Sequence, residues 1–235
     1  MVYQRRMLLY VRFTASMVFV ALFAASIASA QIKPTRPPNG TYVYSLHEGK
    51  GPAIFKSTIV VTGTGSTFSM SEKAKLPNGA IATTQSTWFG ATLLPVTFDV
   101  YQGKTTLHAR ISPTKLPLVG RGSSFARISG STRILPSVGL ISTDIMFAYV
   151  VNAYPRESLT LAEIQNNQTV LVRRDGPRAQ RHGYTAIDMI KQEKHGSVQG
   201  QEHIVAWLNQ RSALIEEIRA NPGDARITVD RFARS

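Results

Sequence analysis

Ile54–Ser71 reads IFKSTIVVTGTGSTFSMS, and the spacing of its apolar residues decides the fold class. In the first run Phe55, Ser57, Ile59 and Val61 alternate with Lys56, Thr58, Val60 and Thr62. The first set is mostly apolar and the second mixed, the period of two expected of a strand buried on one face. Gly63-Thr64-Gly65 then breaks the run, because glycine accepts backbone angles that other residues avoid, and Ser66–Ser71 starts a second run. Two runs joined so tightly are antiparallel neighbours, since a parallel pair needs a long crossover.

The same pattern extends outward. Thr41–Leu46 precedes it, and Ala80–Phe89, Leu94–Gln102 and Lys104–Ser112 follow, with turns at Leu76-Pro77-Asn78-Gly79 and Gln102-Gly103. Val96, Phe98 and Val100 alternate with Thr97, Asp99 and Tyr101, so the first half reads as a meander whose curved sheet has an apolar concave face. Further runs lie at Phe125–Ser131, Thr169–Arg174, Tyr184–Ile190, Gln201–Leu208, Ala213–Arg219 and Ala225–Phe232. Ala213–Arg219 also fits a helix on propensity, but the turn Asn221-Pro222-Gly223-Asp224 favours a hairpin. Thr143–Tyr154 (TDIMFAYVVNAY) is the helix: Asp144 suits its first turn, Pro155 stops it, and it is apolar nearly all round, as a buried helix is. The expectation is a mainly β protein, a single antiparallel closed or half-open barrel of about ten strands with one buried helix. No internal repeat of fixed period is evident.

Residues 1–30 read as a signal peptide. Arg5, Arg6 and Arg12 make a positive leading segment, Met17–Ile27 an apolar stretch too short for a comfortable membrane span, and Ala28-Ser29-Ala30 the small residues a signal peptidase needs. Cleavage is expected between Ala30 and Gln31, and an uncleaved anchor is the alternative. Residues 31–39, with Pro34, Pro37 and Pro38, read as an extended linker, and residues 40–235 as one barrel domain. The chain has no cysteine, which rules out disulfides, thiolate metal sites and a cysteine nucleophile, and suits a periplasmic or secreted bacterial protein.

The formal net charge is +13, and it is unevenly spread: residues 31–155 hold twelve Lys and Arg against four acids, residues 156–235 twelve against ten. A basic surface in the cell envelope attracts anionic membrane surfaces and anionic glycans. Solubility alone is the competing explanation. Nucleic acid is not expected, since export removes the protein from it and no recognition motif is present. Ser112–Ser124 (SPTKLPLVGRGSS) is a Pro- and Gly-dense loop, longer than a hairpin needs, that carries Lys115 and Arg121.

Several segments in order carry a resemblance: Tyr42-Val43-Tyr44, Ala91-Thr92-Leu93-Leu94-Pro95-Val96, Val205-Ala206-Trp207-Leu208, then a closing hairpin of Ile215–Arg219 and Arg226–Val229. Together they resemble poorly characterised exported bacterial β-barrel proteins, similar in design to the LolA/LolB lipoprotein carriers. That resemblance implies a curved sheet holding acyl chains against a helical plug, with binding and no catalysis. The chain departs from the carriers in strand count and has no pattern that maps onto a lipoprotein site.

No catalytic constellation stands up. Ser112-Pro113-Thr114-Lys115 has the Ser-x-x-Lys form, but Pro117 prevents the helix that would set the lysine beside the serine, and its partner motifs are missing. The five histidines (His47, His108, His182, His195, His203) are scattered, and a zinc site from His195 and His203 would need a third ligand. Glu216 and Glu217 point to opposite faces of a strand and cannot act as a glycosidase pair. Asp99 and Asp144, scarce acids of the basic half, would matter if the fold paired them. No cofactor or metal is implied. The expected function is therefore binding of a lipid or other apolar molecule inside the barrel. Lys115, Arg121 and Arg127 are candidates for a headgroup, and Trp88, Phe98, Phe147 and Trp207 for the apolar lining. The alternatives are a structural envelope protein that binds a partner protein or anionic glycan, and a hydrolase with an unrecognised site.

Overall fold

The computed structural model describes residues 35–102, 105–110, 118–119, 133–137, 140–156, 158–163, 168–175, 181–195, 198–220 and 225–234. The expected signal peptide with its cleavage point at Ala30 and Gln31 falls outside them, as does the strand expected at Phe125–Ser131. All described residues belong to one compact unit, Pro34–Ser235.

The chain forms β1 (Gly40–Glu48), β2 (Ala53–Thr62), β3 (Thr67–Lys75), β4 (Ile81–Phe89), β5 (Pro95–Gln102), β6 (Thr105–Arg110), β7 (Leu118–Val119) and β8 (Arg133–Ser137). The helix α1 (Ile141–Ala153) follows, then β9 (Ser158–Glu163), β10 (Gln168–Arg174), β11 (Tyr184–His195), β12 (Val198–Asn209), β13 (Ile215–Ala220) and β14 (Ala225–Ala233). These strands make one sheet in the order β7-β6-β5-β4-β3-β2-β1-β14-β13-β12-β11-β10-β9-β8. Every pairing is antiparallel except β8 with β9. The fold is mainly β with one buried helix, as expected. Among the described residues the end strands β7 and β8 are not paired with each other, so the sheet stays open. The strand count is higher than expected, because short runs such as β7 and β9 are strands only by virtue of their neighbours.

Alternation sets the inner face. Phe68, Met70, Glu72 and Ala74 of β3 are buried, as are Ala82, Thr84, Ser86 and Trp88 of β4, while the residues between them are more open. Helix α1 lies against this inner surface: ten of its thirteen residues are buried, and Ile145, Met146, Tyr149 and Val150 join the main core with Tyr42, Tyr44, Trp88, Ile187 and Ile215. Burial of each large apolar side chain contributes about 1.5–3 kcal/mol. A helix that is apolar all round therefore belongs inside such a sheet. No helix among the described residues is long and apolar enough to cross a membrane.

The register reveals an internal duplication that the sequence hides. The β3–β4 hairpin opens on the pair Thr67 and Phe89, and the β11–β12 hairpin on Tyr184 and Asn209. In the turn after β4, Phe89 donates its N–H to the Leu94 carbonyl and accepts from Leu93 N–H; after β12, Asn209 donates to Leu214 and accepts from Ala213. The Thr92 hydroxyl accepts from Leu94 N–H, and that of Ser212 from Leu214 N–H. Gly90 N–H reaches back to Ser66, and Gln210 N–H to Gly183. Both turns hold a non-glycine residue at positive φ, Leu93 at 51° and Ala213 at 56°, and both hairpins are preceded by a glycine at positive φ, Gly65 and Gly183. A β-bulge breaks each following pairing at the same point, between Thr87 and Trp88 and between Trp207 and Leu208. Strands β3–β4–β5 and β11–β12–β13 are thus two copies of one plan.

Candidate functional site

The helix is held at both ends by groups that come from far along the chain. Its N-cap, Leu140, offers no side-chain acceptor. That role falls to Glu72 of β3, which is 2% exposed and accepts hydrogen bonds from Ile141 N–H at 3.2 Å and Ser142 N–H at 2.8 Å. A carboxylate at a helix N-terminus meets both free donors and the positive end of the helix dipole. The Ser57 hydroxyl also donates to Glu72, and the Thr84 hydroxyl lies 3.3 Å from that of Ser142. This buried polar cluster is therefore committed to seating the helix.

At the other end two tyrosines bind the two equivalent turns. The Tyr149 hydroxyl donates to the Ala213 carbonyl at 2.7 Å and accepts from Ile215 N–H at 3.2 Å, while the Tyr154 hydroxyl donates to the Thr92 carbonyl at 2.8 Å. Tyr44 donates to the Ile215 carbonyl at 2.6 Å. Burial pushes the Tyr149 and Tyr44 hydroxyls well above the usual tyrosine pKa, and that of Tyr42 up to about 12.

Beside the helix remains a cavity of about 190 Å³. Its apolar wall comes from Leu46 of β1, Phe147 of α1, Ile204 of β12, Ile218 of β13 and Ile227 of β14. Three charged residues complete it: Asp144 in the first turn of α1, Lys191 of β11 and Glu202 of β12. Lys191 and Glu202 are cross-strand partners, with ammonium and carboxylate 3.9 Å apart. The arrangement can take a small apolar group and present both signs of charge to whatever polar end it carries.

Of the residues expected to line a ligand site, Phe147 is at this cavity. Trp88 is buried in the main core, its indole N–H donating to the Ser86 hydroxyl at 2.8 Å, and Phe98 packs with Ala74, Ala82, Val100 and Leu140 in a second cluster. Trp207 is a correction. The period of two puts Ala206 and Leu208 in the core and turns Trp207 to the opposite face, where the Arg181 guanidinium lies 4.0 Å from the Tyr184 ring centre and 5.9 Å from that of Trp207. Arg181 and Arg219 both bond Glu217 there, at 3.2 and 2.7 Å, and Glu216 instead accepts from Tyr184 and Asn209. The hydrogen bond to Glu216 raises the Tyr184 pKa. Lys115, Arg121 and Arg127 lie outside the described residues.

The remaining candidates do not gather. Asp99 lines a groove of about 220 Å³ among Ser69, Ser71, Gln85 and Thr97 on the outward side of β2–β5, whereas Asp144 faces the inner cavity, so the two acids line different sites. His203 pairs with Ile190 and His195 with Val198. Five residues of strand separate the two positions on β11, roughly 16 Å at about 3.3 Å per residue, too far to share one metal ion. Lys191, Glu202 and Glu72 were missed by sequence reading. Glu72 alone left a trace, as an acid on the apolar face of an alternating strand.

No family model matches the chain, and no curated protein matches it. Among solved structures it is similar to a β-barrel-like protein of domain of unknown function DUF1849 from Brucella abortus, at 9% identity over 85% of this chain and 98% of that chain, with a TM-score of 0.43.

Proposed function

We propose that this is an exported, non-catalytic envelope protein that binds a small apolar ligand in the cavity beside α1. The observation that carries the reading is the cavity itself, beside α1 and walled by Leu46, Phe147, Ile204, Ile218 and Ile227. Its volume of about 190 Å³ lies below the roughly 300–1,000 Å³ of common ligand pockets, so a whole lipid does not fit and a short chain does. Export rests on the basic, apolar and small-residue segments of the first thirty residues.

Native mass spectrometry of the gently purified protein, followed by solvent extraction, tests the reading. A stoichiometric apolar molecule is expected, and it should be absent from Ala220→Phe, which fills the cavity from β13. A protein that is always empty and takes up no added short-chain compound would sink the reading.

A second reading has its own observation. The outward groove of Ser69, Ser71, Gln85, Thr87, Thr97 and Asp99 is lined by hydroxyl, amide and carboxylate groups, with the exposed Lys73 on the same face of β3. Such a surface suits a glycan, and salt-sensitive retention on an immobilised anionic polysaccharide would favour it over the cavity.

A further inference from the structure

Strands β2–β5 end in a rim on the outer face of the sheet. Lys56 of β2 stands directly opposite Lys75 of β3, and Lys75 directly opposite Ile81 of β4. One step toward the middle of the sheet, Lys73 sits between Thr58 and Thr83, and Thr83 pairs in turn with Tyr101 of β5. Ile54 lies two residues before Lys56, on the same face of β2. These side chains project outward, because the residues that alternate with them, Ser57, Glu72, Ala74, Ala82 and Val100, are buried. Ile54, Ile81 and Tyr101 are three of the five large hydrophobic side chains exposed among the described residues, so exposed apolar groups are concentrated here rather than scattered.

Neither stability nor the fold plan accounts for the combination. Like charges directly opposite on neighbouring strands are destabilising, and Lys56 places its ammonium 2.8 Å from Asp230, which leaves Lys75 between a lysine and an isoleucine. At the β1–β2 turn the exposed Glu48 and Lys50 offset each other in charge, and Asp99 lines the outward groove instead. Lys73 and Lys75 therefore supply the net charge of the rim. The internal duplication shows that the plan needs neither lysine nor isoleucine at the outer rung. Counted from the opening pair of each hairpin, Lys75 and Ile81 match Gln192 and Gln201, which also stand directly opposite each other. The second copy thus builds the same rung from neutral polar side chains.

We propose that this rim docks the protein onto an anionic lipid bilayer, with Ile54, Ile81 and Tyr101 entering the headgroup layer and Lys73 and Lys75 on lipid phosphates. A bilayer offers an apolar boundary beneath a plane of negative charge, and lysine stems and tyrosine rings suit that level. A glycan would engage the lysines but gain nothing from two exposed isoleucines. The docking does not depend on what the cavity beside α1 holds.

The test is co-sedimentation of the protein, purified from cells that produce the full chain, with vesicles of phosphatidylcholine alone or mixed with phosphatidylglycerol. Binding to the mixed vesicles should be stronger by at least about tenfold and should weaken as salt rises. Each basic residue near such a surface strengthens binding roughly fivefold, so Lys73→Gln combined with Lys75→Gln should weaken it about twentyfold. Ile81→Gln should weaken it as well while leaving its salt dependence unchanged. All three positions are exposed, and circular dichroism should show the same fold in every variant. Equal binding to both kinds of vesicle, or binding indifferent to the lysine substitutions, overturns the proposal. Binding that needs the lysines but ignores Ile81→Gln assigns the rim to a soluble polyanion such as a glycan and overturns the bilayer. Binding to neither vesicle also overturns it and leaves the rim to a partner protein.

Discussion

Glu72 shows how much one side chain decides. Its carboxylate is buried on β3 and accepts from Ser57, Ile141 and Ser142, so its removal would strip a helix end of its acceptor and leave two backbone donors in the interior. Glu72→Gln keeps the shape but replaces one accepting oxygen with an NH₂ group that faces a donor. The expected loss is about 1–3 kcal/mol, the cost of one buried unpaired donor, and Glu72→Ala should cost more because a cavity is added. Urea unfolding followed by circular dichroism measures it, and an unchanged midpoint for Glu72→Gln would refute the capping role. Local sequence rules could not have located this contact. They place the helix start at Thr143, beside Asp144, whereas the helix begins at Ile141 because its acceptor comes from a strand nearly seventy residues earlier. Trp207 was misplaced for a related reason: a lone Trp in an apolar run does not disclose its face until Ala206 and Leu208 are seen to point inward.

At the scale of elements, the two equivalent turns make a matched experiment. Leu93 and Ala213 both sit at positive φ, which costs an L-residue roughly 1–2 kcal/mol relative to a right-handed conformation. Glycine removes that strain but adds about 0.5–1 kcal/mol of unfolded-state entropy. Ala213→Gly is therefore expected to be neutral or to stabilise by up to about 1 kcal/mol. Leu93→Gly should do the reverse, losing about 2–5 kcal/mol, because the Leu93 side chain is fully buried and its loss opens a core cavity. Thermal melts of the two variants decide the point: equal shifts would mean that the buried Leu93 side chain adds nothing to stability at its turn. The strands around these turns were legible because each alternates strongly between faces. β9 was not, since Ser158–Glu163 (SLTLAE) has only two large apolar residues and owes its place to pairing with β10 on one side and β8 on the other. The ambiguous segment after Ala213 is strand for the reason its turn suggested, with Ile218 and Ala220 lining the inner cavity.

At the scale of the whole molecule, the duplication explains why the helix can be shared by both halves and why no repeat was visible in the sequence. The copies preserve backbone register, turn hydrogen bonds and bulge position while exchanging the residues themselves: Phe89 for Asn209, Gly90 for Gln210, Pro95 for Ile215. The tyrosines that join the helix and β1 to this frame make the assembly sensitive to alkali. Tyr44 and Tyr149 are buried with their pKa values raised well above the model-peptide value near 10, so the folded state favours their neutral form. Their contribution is complete below about pH 10 and is lost as pH rises from there toward the folded-state values, because the unfolded chain releases protons that the native chain retains. Each such group makes stability fall by about 1.4 kcal/mol per pH unit above pH 10 until its folded-state value is reached, and Tyr42, raised to about 12, adds to the same slope, so the domain should unfold in alkali. Absorbance at 295 nm and far-ultraviolet circular dichroism, recorded together, should show an early reversible phase from exposed tyrosines such as Tyr101, then a second phase that coincides with loss of β signal. Tyr44→Phe should delay that second phase relative to its own stability at neutral pH, since one of those protons is then missing from the balance. If all tyrosines ionise together near pH 10 with the β signal intact, the buried hydroxyl network does not hold the helix in the sheet.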